Sequence, residues 1–268
     1  MNEKKDITKK AWINGLFFII ALLVNGLGAS GLINGLSQKE ISDRYITLIT
    51  PSPSSFSIWG VIFTLLFISM IVMIVKSNDL YYQDSIKEIT ILFRISCILN
   101  VLWMLTFSYL QIEISTIFIF AFLITLALIC ERLKKIHVKN RFLLPLTFGL
   151  YTGWLLIATV VNIAAALVKL KWSGFGIADE LWAAIILIIG VNIVFIVLRS
   201  NKNAVFPLPI AWAYWGIYKF LKAPNGFQGE FEFLQVISII GMVILIGMVA
   251  IQLYRNNFGL FPENKLKR

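Results

Sequence analysis

The sequence predicts an all-α, polytopic membrane helical bundle of eight transmembrane helices, and three observations predict it. Hydrophobic residues fill 59% of the 268 positions and charged residues only 14%, with a mean hydropathy of +0.83; a soluble domain carries nearly twice that charge. The apolar residues fall in long unbroken runs, near the ~20 residues that a helix needs to cross hydrocarbon. Only helices and closed barrels satisfy every backbone group there, and runs of this length select helices. The third observation is where the basic residues lie between the runs.

The first run extends from Trp12 to Gly35, the second from Phe56 to Val75, and the third from about Ile89 to Leu110, with Arg94 near its start. A tight turn leads to the fourth, Ile114 to Cys130, and a strongly basic loop to the fifth, Phe142 to Val168. Beyond a polar loop with Lys169, Lys171 and Asp179 come a sixth run, Leu181 to Leu198, a seventh, Ala204 to Leu221, and an eighth, Leu234 to Tyr254. The first run is longer than the ~7–15 apolar residues of a secretory signal, so it reads as a retained span despite the preceding Lys9 and Lys10.

With the N-terminus inside, 18 of the 24 Lys and Arg fall on one side, in the segments around residues 4–10, 76–94, 132–141, 199–202 and 255–268. Lys39, Arg44, Lys169, Lys171, Lys219 and Lys222 fall on the other. This asymmetry follows the positive-inside rule, predicts both termini in the cytoplasm, and needs an even number of spans. It also accounts for the net charge of +10 without a nucleic-acid partner. A multi-pass protein of the plasma (inner) membrane is the expected location.

Reaction chemistry is sparse. His137, the single histidine, lies in the basic loop and reads as a solvated loop residue, with no metal-ligand cluster around it. No Gly-rich phosphate loop occurs. Acidic residues such as Glu113, Asp179 and Glu180 sit at span ends rather than at mid-depth, where proton relays place them. Arg94 is read as snorkelling to the interface, and Cys97 and Cys130 as small packing residues. No catalytic residue, metal site or required cofactor is predicted.

The spans instead hold amides and indoles: Asn25, Asn100, Asn162 and Asn192 with Trp59, Trp103, Trp154, Trp182, Trp212 and Trp215. Taken singly, each amide reads as a helix-to-helix hydrogen bond and each indole as an anchor or packing group. Gly31–Gly35 and Gly149–Gly153 have the G-x-x-x-G spacing that permits close helix approach.

Three stretches gain meaning from their order. Residues 54–67 read SSFSIWGVIFTLLF, the third run contains Leu99-Asn100-Val101-Leu102-Trp103, and the fifth contains Tyr151, Trp154, Ala158 and Asn162. Positions i, i+4 and i+8 share one helix stripe, so Trp154, Ala158 and Asn162 face one neighbour, with a small residue forming a notch between ring and amide. Together these stretches resemble the TspO/MBR family of tryptophan-rich sensory proteins, whose patterns read approximately PPxWVFGPVWTxLY, LNxxW and YxxWxxxAxxxN. Ser54 and Ser55 stand where the family has paired prolines, and Phe63 where it has tryptophan.

The resemblance covers residues 11–168 and implies a TspO-like five-helix domain there, between a cytoplasmic segment 1–10 and three additional helices over 169–255, with a cytoplasmic tail 256–268. It further implies a pocket lined by Trp59, Phe63, Asn100, Trp103, Tyr151, Trp154, Ala158 and Asn162, a flat hydrophobic ligand such as a porphyrin or heme-like tetrapyrrole, a sensory or ligand-handling role, and a homodimer in membrane lipid. The alternative is a transporter or permease subunit for a small amphipathic solute.

Overall fold

A computed structural model describes residues 2–138 and 140–262; Lys139, Lys265, Lys267 and Arg268 of the basic clusters lie outside them. Among the described residues the chain is helical, with no strand. Its helices are α1 (Asn2–Ala29), α2 (Gln38–Arg44), α3 (Ile58–Val75), α4 (Leu80–Ser108), α5 (Ile112–Ile136), α6 (Leu143–Lys169), α7 (Asp179–Asn201), α8 (Leu208–Lys222) and α9 (Glu232–Arg255). All but α2 and α8 are long and apolar enough to cross a membrane, which makes seven candidate spans among the described residues.

The surface agrees with a lipid solvent. Trp12, Leu23, Ile91, Ile117 and Ile196 are each more than 60% exposed on these helices, an arrangement that would drive association in water but is the solvated face in a bilayer. Inward faces hold polar groups that pair across helices. Ser69 and Thr147 join α3 to α6 at 2.9 Å, and the Asn14 amide donates to Thr90 Oγ1 at 3.0 Å, joining α1 to α4. Arg94 does not simply snorkel: its Nε donates to Asn14 Oδ1 at 2.9 Å and its guanidinium lies over the Phe17 ring.

Helix α6 is the centre of the molecule and the most buried of the candidate spans. It packs on α3 and α5 on one side and on α8 on the other. Gly149 and Gly153 do permit close approach, as their spacing predicts: a Cβ at Gly153 would lie 2.1 Å from the Phe206 carbonyl oxygen, and one at Gly149 2.5 Å from Asn203 Nδ2. The Gly31–Gly35 pair is different. Helix α1 ends at Ala29, and both glycines take positive φ, 77° and 74°, so they shape a turn that only residues without a Cβ form readily.

The ends of the helices sort into two layers. Thr8 meets Ser77 at 3.0 Å, Lys134 Nζ donates to the Ser200 carbonyl at 2.6 Å, Asn203 Nδ2 to the Pro145 carbonyl at 2.9 Å, and the Ala204 N–H to the Leu260 carbonyl at 2.9 Å. The starts of α1, α6 and α8 therefore lie with the ends of α3, α5, α7 and α9. His137 belongs to this layer and is buried, edge-on to Phe261 with centroids 5.6 Å apart; the C-terminal segment covers a residue expected in solvent. At the opposite layer are α2, the 3-10 turn Pro53–Ser57 and the end of α8.

Candidate functional site

The site grows from the turn ahead of α3. Pro53 opens the turn, and α3 then carries Trp59 and Phe63, one helical turn apart, with their rings stacked at 5.3 Å and 16°. Trp59 is the hub of an aromatic cluster. Its ring lies 6.1 Å from Trp103 of α4, 6.0 Å from Tyr151 of α6 at 80° and 6.2 Å from Trp154 of α6 at 87°. Edge-to-face and offset geometries of this kind are the favourable ones for aromatic pairs.

Two cavities meet at this hub. One, of about 50 Å³, is walled by Trp59, Trp103, Trp154, Ala158 and Asn162 with Phe56 and Phe107, and roofed by Gln38, Ser42 and Tyr45 of α2 and its C-cap. The other, of about 320 Å³, lies between α1, α2 and α3 and is lined by Asn25, Gly26, Lys39 and Phe63 among others. Gln38, Phe56 and Trp59 line both, so these three side chains form the partition. A larger cleft, about 610 Å³, opens between the 46–49 segment, the start of α7 and Phe227 and Phe231; it holds none of the eight predicted site residues.

Five of those eight thus wall the small cavity and two, Trp59 and Phe63, the second. The α6 stripe of Trp154, Ala158 and Asn162 faces one space, as its spacing requires. Asn100 and Tyr151 line neither cavity. Asn25 donates to Asn100 Oδ1, and Asn100 Nδ2 donates to the Tyr151 hydroxyl at 3.1 Å; these three tie α1, α4 and α6 together behind the cluster. Asn162 is equally engaged. Its Oδ1 accepts from Trp103 Nε1 at 3.0 Å, and its amide donates to Ser115 Oγ at 3.0 Å and Thr116 Oγ1 at 2.8 Å.

Of the predicted set, Trp154 carries the polar atom that is both buried and without a partner. Trp154 is 3% exposed, and its Nε1 donor is buried without a hydrogen-bond partner, an arrangement that costs about 1–3 kcal/mol unless something accepts from it. The residues missing from the predicted set are the roof, Gln38, Ser42 and Tyr45, the partition residue Phe56, and Asn25 of the second cavity. Ser37-Gln38-Lys39-Glu40 is a readable signal for α2, since Ser and Glu three residues apart form a capping box. Here the Glu40 N–H donates to Ser37 Oγ at 3.2 Å and the Ser37 N–H to Glu40 Oε2 at 2.7 Å. The Ser37 N–H and the Ser37 hydroxyl both donate to Glu40 Oε2, each at 2.7 Å, and these two bonds hold the Glu40 carboxyl below the ordinary glutamate range.

No curated protein and no solved structure matches the chain. The family described as TSPO-like protein matches residues 11–251, a stretch that takes in α7, α8 and most of α9 as well as the aromatic cluster. With its apolar helices and with Trp59, Trp103 and Trp154 converging on one space, the chain is an integral, multi-pass membrane protein that belongs to the TspO/MBR family.

Proposed function

We propose that this protein binds a flat, conjugated hydrophobic ligand, such as a porphyrin or another tetrapyrrole, in the space around Trp59, and that binding serves a sensory or ligand-handling role. The observation that carries this reading is the aromatic partition between two cavities, with the unpartnered Trp154 Nε1 in its wall. Small-molecule pockets usually occupy about 300–1,000 Å³, so the small cavity alone, at about 50 Å³, holds no tetrapyrrole. A turn of the Trp59 side chain joins it to the second cavity under the α2 roof. Aromatic walls then stack on the ligand, and Trp154 Nε1 donates to an acceptor on it.

The reading includes eight spans, both termini cytoplasmic in the plasma (inner) membrane, and a homodimer. Helix α8 has 15 residues and a length of about 22 Å, less than the ~30 Å of hydrocarbon. It nonetheless leads from Asn203, bonded to Pro145 at one layer, to Lys219 beside Ser54 at the other, which supports a short, protein-buried eighth crossing.

The test is a fluorescence-quenching titration of detergent-purified protein with protoporphyrin beside Trp154→Leu and Asn100→Ala. Saturable quenching weakened by Trp154→Leu supports the pocket. Equal, unsaturable quenching in all three proteins contradicts it. The short α8, opened by Pro207 and Pro209, also favours a second reading as a permease subunit for an amphipathic solute, since interrupted helices mark many transport paths; solute flux into protein-containing vesicles distinguishes the two.

A further inference from the structure

Helix α8 grips the pocket with one face and the last helices with the other. Trp212, Gly216 and Lys219, at i, i+4 and i+7, share a stripe. Trp212 Nε1 donates to the Ser55 carbonyl at 3.0 Å, Lys219 Nζ to Ser54 Oγ at 3.3 Å, and the Gly216 carbonyl accepts from the Ser52 N–H at 3.0 Å. The fit at Gly216 is close: a Cβ there would lie 2.0 Å from Ser55 Oγ and 3.1 Å from Pro51 Cβ. This is the turn that brings Pro51 to the small cavity and Phe56 to both cavities, with Phe56 edge-on to Trp154 at 6.4 Å.

The opposite face of α8 presents Tyr214, two residues from Trp212 and so about 200° around the helix. Tyr214 is 1% exposed. Its hydroxyl donates to the Leu187 carbonyl of α7 at 2.6 Å, and its ring fits against two glycines: a Cβ would lie 2.6 Å from the hydroxyl at Gly190 of α7 and 2.5 Å from the ring at Gly241 of α9. Two close fits on opposite faces of one short helix leave it little room to move independently of either neighbour.

We propose that α8 is a strut that sets the position of the pocket's Pro51–Phe56 wall according to the placement of α7 and α9, with Trp212, Gly216 and Tyr214 as its positioning residues. A shift of the α7–α9 pair, whatever imposes it, reaches the partition residue Phe56 through Tyr214 and the Gly216–Ser52 hydrogen bond. The inference rests on the proposed pocket for its meaning, but the coupling is readable without any ligand.

The experiment is amide hydrogen exchange of the full chain in lipid nanodiscs, followed by mass spectrometry over residues 50–57. Wild type is compared with Gly216→Ala, Trp212→Phe, Tyr214→Ala and the milder Tyr214→Phe, with the lipid-facing Ile196→Val as control. Exchange in 50–57 rises at least about fivefold in the first four, the low end of measured couplings between sites, while the α4–α5 hairpin and the control stay at the wild-type rate. The decisive variants are those at Tyr214, whose hydroxyl and ring meet α7 and α9. Wild-type exchange over 50–57 in both folded Tyr214 variants overturns the strut, even if Gly216→Ala and Trp212→Phe change it, because those two contact the turn directly. The same samples titrated with protoporphyrin separate the two claims: altered exchange with no saturable binding in any protein, wild type included, supports the strut and removes the proposed function.

Discussion

Trp154 and Asn162 lie two turns apart on α6 and present opposite situations. The Asn162 amide is fully used, by Trp103, Ser115 and Thr116, whereas Trp154 Nε1 is buried with no partner. Removing the first leaves several donors and acceptors unsatisfied inside a bundle, so Asn162→Ala destabilises the protein by about 1–3 kcal/mol, which thermal unfolding in detergent will read as a lower midpoint. Removing the second relieves the free protein of an unpaired donor, worth about 1–3 kcal/mol, which offsets the packing lost with the larger ring. Trp154→Phe keeps a ring in place and is expected to unfold at or slightly above the wild-type temperature, while weakening protoporphyrin binding by about threefold to tenfold, the worth of one hydrogen bond. Sequence reasoning placed both residues on one stripe correctly, because the i, i+4, i+8 spacing fixes direction. It could not separate their roles: whether an amide faces a cavity or a neighbouring hydroxyl depends on Ser115 and Thr116 of another helix.

The helices show the same division between what periodicity states and what packing decides. Long apolar runs marked every span of 18 residues or more, since bilayer thickness imposes that length on the sequence itself. The edges of α1 were less legible: positive φ at Gly31 and Gly35 ends the helix within an apolar run, and hydropathy does not register backbone conformation. Helix α2 was missed because its seven residues include too few apolar ones to stand out, although its capping box was in view. That box makes the roof acid-sensitive. Glu40 is held below its ordinary value in the folded protein by Ser37, so its contribution to α2 is present above the unfolded pKa of about 4.3 and is lost as pH falls through the lower, folded value. Amide exchange in residues 38–44 is expected to stay constant from pH 8 to 5, after correction for intrinsic rates, and to accelerate below about pH 4; an unchanged corrected rate at pH 3 contradicts the cap. Helix α6 offers a sharper test of packing. Gly153→Val places its branches against the Phe206 carbonyl and Pro209 and is expected to destabilise the protein by about 1–3 kcal/mol, where Gly60→Ala, with open space around it, has a small effect.

At the scale of the whole molecule, the helices that carry the aromatic cluster and the last three helices, all within the family match, form one structure joined along α6 and α8. The membrane nature and the bundle were legible from composition alone, because lipid admits so few architectures. The pocket was legible only as a list of side chains, since its roof and two of its three partition residues come from α2 and the turn at Pro53–Ser57, short segments without a hydropathy pattern of their own. If the aromatic space around Trp59 receives the ligand, filling that space excludes it. Ala158→Phe places a ring in the notch between Trp154 and Asn162, and the lipid-facing Ile117→Phe serves as a control of equal chemistry. Protoporphyrin titrations of both are expected to show saturable binding retained in Ile117→Phe and weakened at least tenfold, about 1.4 kcal/mol, in a folded Ala158→Phe; equal affinity in the two proteins would contradict the account.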